Sequence, residues 1–237
     1  GTAPSNNNII YALYTNGDDE NIEADLWQYN LETNTWTDYS SKLPDEAGGD
    51  SPGNDPFAVQ GGYDLVVSVK PDDENFIVIG GSNAYKIEDV ENDFSFTRIG
   101  GYANNFGYSL YAVGGVNHHP DIHALVFDPN NENVLFSATD GGVHKTIDVG
   151  ASSVAWENLN NNYITYQFYH VALDPEEASN AVIGGAQDNG TKIGGTDLGL
   201  EDNTQMSNWY GGDGVAVGIT QRGDDNTFQY YYGSQKG

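Results

Sequence analysis

Short apolar runs that alternate with clusters of turn-forming residues dominate the chain, and no stretch keeps a sustained apolar period of 3.6 residues. The same order of apolar runs and turns recurs in three segments, 65–86, 124–145 and 171–192. An apolar run ends in proline, an Asn/Asp/Glu turn and a second apolar run follow, and a glycine-containing turn leads to a third run with lysine. In each segment 15 to 17 residues separate the proline from the lysine. The pattern predicts strands joined by turns, with little helix.

Each repeat can be interpreted as part of an antiparallel sheet. Proline cannot donate a ladder hydrogen bond and therefore ends a strand, while the polar cluster makes the hairpin turn. An aromatic residue further along marks a fourth strand, Phe94 or Phe96 in the first repeat and Trp156 in the second. Four short antiparallel strands per repeat are typical of a propeller blade. We therefore predict an all-β fold, a β-propeller of four-stranded antiparallel blades.

About four blades are covered, all in one propeller domain. Their approximate ranges are 1–60, 61–118, 119–168, 169–214 and, for a partial blade, 215–237. Residues 124–127 and 171–173 are expected to be buried inner strands. Because the sequence begins and ends within repeat units, we expect part of a larger propeller. Its open edge is expected to contact the remainder of the same protein or a partner chain.

The most distinctive residues lie between 118 and 191. They include the proline-ended run at 119–129, Ala-Thr-Asp-Gly-Gly-Val-His-Lys at 138–145 and Ala-Gln-Asp-Asn-Gly-Thr at 186–191. Together they resemble the sortilin/Asp-box (BNR-like) propeller superfamily, especially large exported proteins of the Bacteroidetes type. The Asp-box itself is degenerate, since Thr146, Asp148 and Gly150 keep its front half but Trp156 lies too far along.

The resemblance implies a secreted or cell-surface bacterial protein, but it does not assign one activity. The superfamily includes xyloglucan hydrolases, sialidase-like enzymes, sorting receptors and many adhesion modules, and a shared fold does not fix function. Sialidases usually bind the carboxylate of their substrate through several arginines. This chain has only Arg98 and Arg222, so that branch is disfavoured.

The formal charge of −27, from 35 acidic and 8 basic residues, narrows the possible partners. Nucleic acids need clustered Lys and Arg and would be repelled, so we expect no nucleic-acid binding. No apolar run approaches the ~20 residues of a membrane span, so no membrane insertion is expected. Cysteine is absent, which excludes disulfides and a thiol nucleophile. Neutral glycans, cations and basic protein surfaces remain as partners.

The candidate binding residues lie immediately before the predicted inner strands. The loops that enter the inner strands of a propeller share one mouth, and a polar concavity is the default ligand site. Three consecutive blades carry polar or aromatic side chains at this entry position. We predict that these residues cluster at one end of the propeller axis: His119, Asp121, His123, Tyr169, His170 and Asp213.

Two alternatives accompany this prediction. If the backbone at 119–123 is extended, His119, Asp121 and His123 lie on one face and could bind a transition metal, although lining the polar wall of the channel is the preferred interpretation. Asp140, Asp188 and Trp209 are weaker candidates. Asp140 and Asp188 occupy corresponding Asp-Gly and Asp-Asn-Gly positions, where turn chemistry competes with a role as paired catalytic carboxylates.

No metal or cofactor is assigned. If an ion is bound, calcium on loop oxygens is preferred to zinc, because Asp and Asn supply many oxygen ligands. Three acidic runs, 18–20, 72–74 and 224–226, fall in predicted turns where calcium could bind, although solvated turn acids are the favoured interpretation.

Two functions from different classes remain open. The preferred one is an extracellular or cell-surface, non-catalytic propeller module for binding or adhesion to a protein or glycan. The alternative is a glycoside hydrolase of the xyloglucanase type that uses paired carboxylates at the propeller mouth. The geometry of the carboxylates across that mouth distinguishes the two.

Overall fold

The structure is a computed structural model. It describes residues 1–17, 22–46, 57–93, 95–104, 107–163, 166–176, 178–202, 205–222 and 227–235, with only the backbone described at 221–222 and 227–235. The acidic runs 18–20 and 224–226 and the residue Phe94 lie outside the described residues. The chain divides into two compact units, 1–162 and 163–237, which are described separately below.

The first unit contains three sheets whose strands follow chain order. Every pairing within them is antiparallel. The first sheet has three strands, β1 (Ile9–Thr15), β2 (Ala24–Asn30) and β3 (Thr35–Asp38). The second has four, β4 (Val66–Val69), β5 (Ile77–Gly80), β6 (Ala84–Ile87) and β7 (Thr97–Gly100). The third also has four, β8 (Ile122–Asp128), β9 (Asn131–Thr139), β10 (Gly142–Thr146) and β11 (Glu157–Asn158).

The second unit contains two antiparallel sheets. One has four strands, β12 (Phe168–Leu173), β13 (Val182–Ala186), β14 (Gly190–Gly194) and β15 (Met206–Tyr210). The other is the hairpin of β16 (Asp213–Arg222) and β17 (Thr227–Gln235). Four-stranded antiparallel sheets in sequential order confirm the predicted fold class, a partial β-propeller. Within the described residues no helix is long and apolar enough to cross a membrane.

The core of the first unit lies between neighbouring sheets, and β5 shows why. Ile77 and Ile79 belong to a cluster shared with β1 and β2, whereas Val78 belongs to a cluster shared with β8 and β9. Because successive strand residues point to opposite faces, β5 is buried on both sides. This two-sided burial explains the uninterrupted apolar run at 76–79, which an exposed face would have broken with polar residues.

Within each unit the first strands of successive sheets are neighbours, as the inner strands of a propeller must be. β4 contacts both β1 and β8, and in the second unit β16 contacts β12. The expected burial of these strands was only partly correct. Leu125 is buried, but Val126 is 57% exposed, and in the second unit Val171 and Leu173 are also exposed. The prediction treated both faces of each strand as core, whereas alternate residues point away from it.

Candidate functional site

Polar side chains gather in the first unit where β4 and β8 begin. They come from the connection before β4, the β5–β6 turn, the residues around the start of β8 and the β9–β10 turn. We call them the mouth cluster, which consists of Gln60, Tyr63, Asp64, Ser82, Asp121, His123 and Asp140. Two adjacent sheets therefore build the site together.

Gln60 donates hydrogen bonds to three other side chains of the mouth cluster. Its side-chain nitrogen donates to Asp121 Oδ1 at 2.7 Å and to Asp64 Oδ2 at 2.8 Å, and it lies 3.3 Å from Ser82 Oγ. Its own backbone nitrogen donates to Glu23 Oε2 at 2.9 Å. Gln60 has a φ of 48°, a left-handed conformation that costs free energy for a residue with a side chain. The hydrogen bonds of its amide and backbone hold it there.

Asp121 joins the two sheets through its backbone. Its N–H donates to the carbonyl of Ser82 at 3.0 Å, and its carbonyl accepts from the N–H of Asp140 at 3.2 Å. The residue has a φ of 62°, so the backbone is not extended here. The condition under which His119, Asp121 and His123 would share one face of a strand is therefore not met, because β8 begins only at Ile122.

Asp64 is fully buried beneath the cluster, and its Oδ1 has no hydrogen-bond partner among the described residues. Loss of hydration, together with the negative charges of Asp121 and Asp140, raises the pKa of its carboxyl group to about 7. The charge of His123 and the hydrogen bond from Gln60 act in the opposite direction. Near neutral pH this carboxyl group is therefore divided between its protonated and ionised forms.

Tyr63, His123 and Asp140 form the more accessible half of the cluster. His123 Nε2 pairs with Asp140 Oδ1, and the Tyr63 hydroxyl donates to the same oxygen at 3.3 Å. The Tyr63 ring packs edge-on against the His123 ring, with centroids 5.0 Å apart. Partial loss of hydration and the Asp140 charge raise the pKa of Tyr63, so its hydroxyl keeps its proton and acts as a donor. The Tyr63 side chain is nevertheless 57% exposed.

His119 does not join this group. Its ring packs on Gly141, where a Cβ atom would collide with it, and its Nδ1 lies 3.0 Å from the Pro120 carbonyl oxygen. In the described part of the chain, no three His, Asp or Glu side chains are grouped so as to hold a metal ion. Among the described residues, His119, Asp121 and His123 are therefore not grouped as a set of metal ligands.

The remaining described acidic run has local roles. Asp72 pairs with Lys70, and Asp73 Oδ1 accepts from the N–H of Asn75 at 2.9 Å. Such a hydrogen bond to a residue two positions along is ordinary turn chemistry.

Two histidines, His118 and His144, are buried below the loop that leads to β8. The His118 ring stacks against His144 and Trp156, with centroids 4.7 and 4.4 Å away. His118 Nδ1 accepts from the N–H of Gly101 at 3.2 Å, and Trp156 Nε1 donates to the Ile99 carbonyl at 2.5 Å. Burial lowers the pKa of His118 to about 3 and also lowers that of His144. Both rings are neutral in the folded protein at neutral pH and belong to its core.

The second unit contains the other predicted site residues. Asp213 Oδ1 accepts from the N–H of Asp188 at 2.7 Å, so a strand-entry residue again contacts the turn of the preceding sheet. Tyr169, His170 and Trp209 are exposed. The structure thus brings Asp121, His123 and Asp140 together in one unit and Asp188 and Asp213 in the other. Clustering of all six entry residues at one mouth remains a prediction.

Gln60, Tyr63 and Asp64 were not predicted from the sequence, although a signal for them existed. Tyr63 and Asp64 immediately precede the apolar run at 65–69, which is the entry position that selected Asp121 before β8 and Asp213 at the start of β16. Applying the same rule to β4 would have found Tyr63 and Asp64. Gln60 lies further upstream, and only the fold shows its contacts.

A cavity of about 570 Å³ lies elsewhere, at the far ends of β4 and β8. It is lined mainly by apolar side chains and prolines, including Val69, Pro71, Val126 and Phe127. Asp128 is the single titratable side chain among its lining residues. The cavity is separate from the mouth cluster and offers little polar chemistry.

Comparison with known proteins supports the architecture. The chain matches no protein-family model and no curated protein sequence. Among solved structures, a GH74 xyloglucanase from Xanthomonas campestris matches with a TM-score of 0.50 and 15% identity, over 89% of this chain and 29% of that one. A GH74 enzyme from Niastella koreensis matches with a TM-score of 0.45 and 15% identity, over 81% of this chain and 27% of that one.

The dihydro-heme d1 dehydrogenase NirN also matches, with a TM-score of 0.38 and 11% identity, over 98% of this chain and 41% of that one. This chain spans less than a third of the length of the two GH74 proteins. At such identities a structural match supports the fold alone. Taken with the sequential antiparallel sheets, the match to the Xanthomonas protein shows that this chain folds as part of a β-propeller.

Proposed function

We propose that the chain is a non-catalytic propeller module that binds a glycan through the mouth cluster. The observation that supports this most directly is the exposed Tyr63 ring beside hydrogen-bonding groups of Asp121, His123 and Asp140. A sugar ring presents an apolar face that can stack on an aromatic ring, and its hydroxyl groups donate to carboxylates. The Xanthomonas protein of similar fold is a xyloglucanase, which acts on a glycan.

The side chains of the mouth cluster are also preorganised for ligand binding. Tyr63 is fixed by its hydrogen bond to Asp140 and its edge contact with His123, and Asp121 is fixed by Gln60. A ligand therefore meets side chains that have already lost much of their rotational freedom, which reduces the entropic cost of binding.

Removing the aromatic ring tests this proposal. Tyr63→Ala is expected to weaken binding of a matching oligosaccharide by about tenfold, because it removes the stacking surface and one donor. Calorimetry with xyloglucan and cello-oligosaccharides measures the change. Tyr108→Ala is the matched control, since Tyr108 is exposed and packs against Tyr102 on another loop. Equal loss in both variants would contradict a role for the mouth cluster.

Glycoside hydrolysis is the second candidate, and the raised pKa of Asp64 favours it. A carboxyl group that is partly protonated near pH 7 beside two other carboxyl groups resembles the acid of a glycosidase. Against this, Asp64 is fully buried and its Oδ2 is bonded to Gln60, so it does not face a bound sugar. We expect no release of reducing ends from xyloglucan. Release that disappears in Asp121→Asn and Asp140→Asn would favour the enzyme.

We also propose a superfamily for the repeats and a cellular location for the protein. We assign the repeats to the sortilin/Asp-box superfamily and the protein to the outside of a bacterial cell. The degenerate Asp-box forms a compact turn after β10, in which the N–H of Gly150 donates to Asp148 Oδ1 at 3.1 Å and that of Asp148 donates to Thr146 Oγ1 at 3.3 Å. Recovery of the protein from intact cells after surface labelling would test the location.

A further inference from the structure

The mouth cluster carries more carboxyl groups than basic groups. Its titratable side chains include three carboxyl groups, on Asp64, Asp121 and Asp140, and one imidazole, on His123. Four basic side chains nearby in the sequence have contacts elsewhere: Lys70 with Asp72, Lys86 with Glu88, Arg98 with Glu46 and Lys145 with the Phe136 ring. The site therefore presents hydrogen-bond acceptors to a cation.

Two further features favour a cationic group. The exposed Tyr63 ring offers a face to which an ammonium ion is attracted. Asp64 lies buried beside the cluster with Oδ1 unpaired among the described residues, although its charge is coupled to those of Asp121 and Asp140. Burying a carboxylate oxygen without a hydrogen-bond donor costs free energy unless a proton or a nearby cation compensates its charge.

We propose that the mouth cluster prefers a glycan bearing free amino groups, a deacetylated amino-sugar chain whose ammonium lies beside Tyr63 and the Asp121 and Asp140 carboxylates. The inference rests on the glycan-binding function proposed above and adds the substrate class. N-acetylation removes the charge of the amine, so acetylated chains bind more weakly. Acidic glycans are repelled by the same carboxylates.

Proton release provides a signature that binding of a neutral sugar lacks. An ammonium ion near Asp64 favours its ionised form, so binding at pH 6.5 drives off the proton that this carboxyl group holds in the free protein. A sugar amine that is still neutral at this pH takes up a proton on binding, so the release from Asp64 is the difference in proton balance between the protein and its Asp64→Asn variant. The heat of binding then changes with the ionisation heat of the buffer. A neutral oligosaccharide leaves the charge balance around Asp64 unchanged and releases no proton.

The experiment is calorimetry at pH 6.5 in two buffers of different ionisation heat. The probes are a β-1,4-linked glucosamine oligomer, its fully N-acetylated form, a cello-oligosaccharide of equal length and a lysine oligomer. We expect the glucosamine oligomer to bind at least tenfold more tightly than the other two sugars, with more proton release in the unaltered protein than in Asp64→Asn. Asp140→Asn and Asp121→Asn should each reduce that preference. Glu157→Gln, an exposed position on β11, is the control for the same loss of charge.

The outcomes separate the two proposals. Equal affinity for charged and uncharged sugars, without proton release, overturns the amino-sugar preference and leaves glycan binding in place. Binding of the lysine oligomer without any of the sugars overturns the glycan function itself and identifies a basic protein as the ligand. A preference for the glucosamine oligomer that survives in both Asp variants overturns the assignment to the mouth cluster.

Discussion

Replacing Asp64 with asparagine is expected to stabilise the protein by about 3 kcal/mol at pH 8, even though it removes a residue of the candidate site. The folded-state pKa is about 7, against an ordinary value of 3.8, so the folded protein must ionise a buried carboxyl group at pH 8. Each pKa unit corresponds to ~1.4 kcal/mol, which makes this cost several kcal/mol. An asparagine amide can still accept from Gln60 and carries no charge.

The effect depends on pH with a defined sign. Because the folded-state pKa is raised, the contribution of Asp64 to stability is most favourable below pH 3.8 and is lost as the pH rises through about 7. The advantage of Asp64→Asn should therefore shrink by ~2 kcal/mol between pH 8 and pH 5. Urea unfolding of both proteins at the two pH values measures this, with Glu157→Gln as the control. An unchanged advantage would show that Asp64 titrates normally in the folded state.

Acidification in the Asp64→Asn background is expected to destabilise the protein through the buried histidines. The pKa of His118 is lowered to about 3, so its contribution to stability is present above its ordinary value of 6.5 and is lost as the pH falls. Between pH 7 and pH 5 the loss from His118 alone is ~2 kcal/mol, because the unfolded chain binds a proton that the folded chain excludes. His144 has a lowered pKa and adds to the loss with the same sign.

A glutamine at position 118 tests the origin of this loss. Its side-chain oxygen can accept from the N–H of Gly101 as His118 Nδ1 does, but it does not titrate. His118→Gln should make the unfolding free energy less dependent on pH by ~2 kcal/mol over the same interval. His170→Gln, which replaces an exposed imidazole, is the control for the loss of one histidine. If His118→Gln does not fold, His144→Gln provides the second measurement, and unaltered pH dependence in it would refute the explanation.

The sequence predicted the fold well because its signals are local. Pro71, Pro129 and Pro175 each follow an inner strand, and the glycine-containing turns at 80–81 and 141–142 separate the next two strands. The rule that site residues lie at the start of an inner strand also identified Asp121 and Asp213, because this rule depends only on where an apolar run begins. The resemblance to the sortilin/Asp-box superfamily rests on the same local residues and therefore added little to the site.

The site was predicted less well because its geometry depends on contacts distant in the chain. Gln60 and Asp121 are 61 positions apart, and no local pattern shows that one amide bonds to the other. The left-handed backbone at Asp121 turns His119 away from His123, which a simple alternation rule cannot anticipate. The exposure of Leu173 likewise depends on which face of β12 packs inward, and the apolar run alone does not specify that face.

The construction of the mouth cluster by two adjacent sheets has an evolutionary consequence. A propeller grows by copying whole repeats, but a single copied sheet would carry only the β4-entry half or the β8-entry half of this constellation. The unit that carries this arrangement through a duplication is therefore a junction between repeats and not one repeat. Duplication or loss of one repeat changes which side chains meet at its two borders, while the sheet that moved keeps its own core.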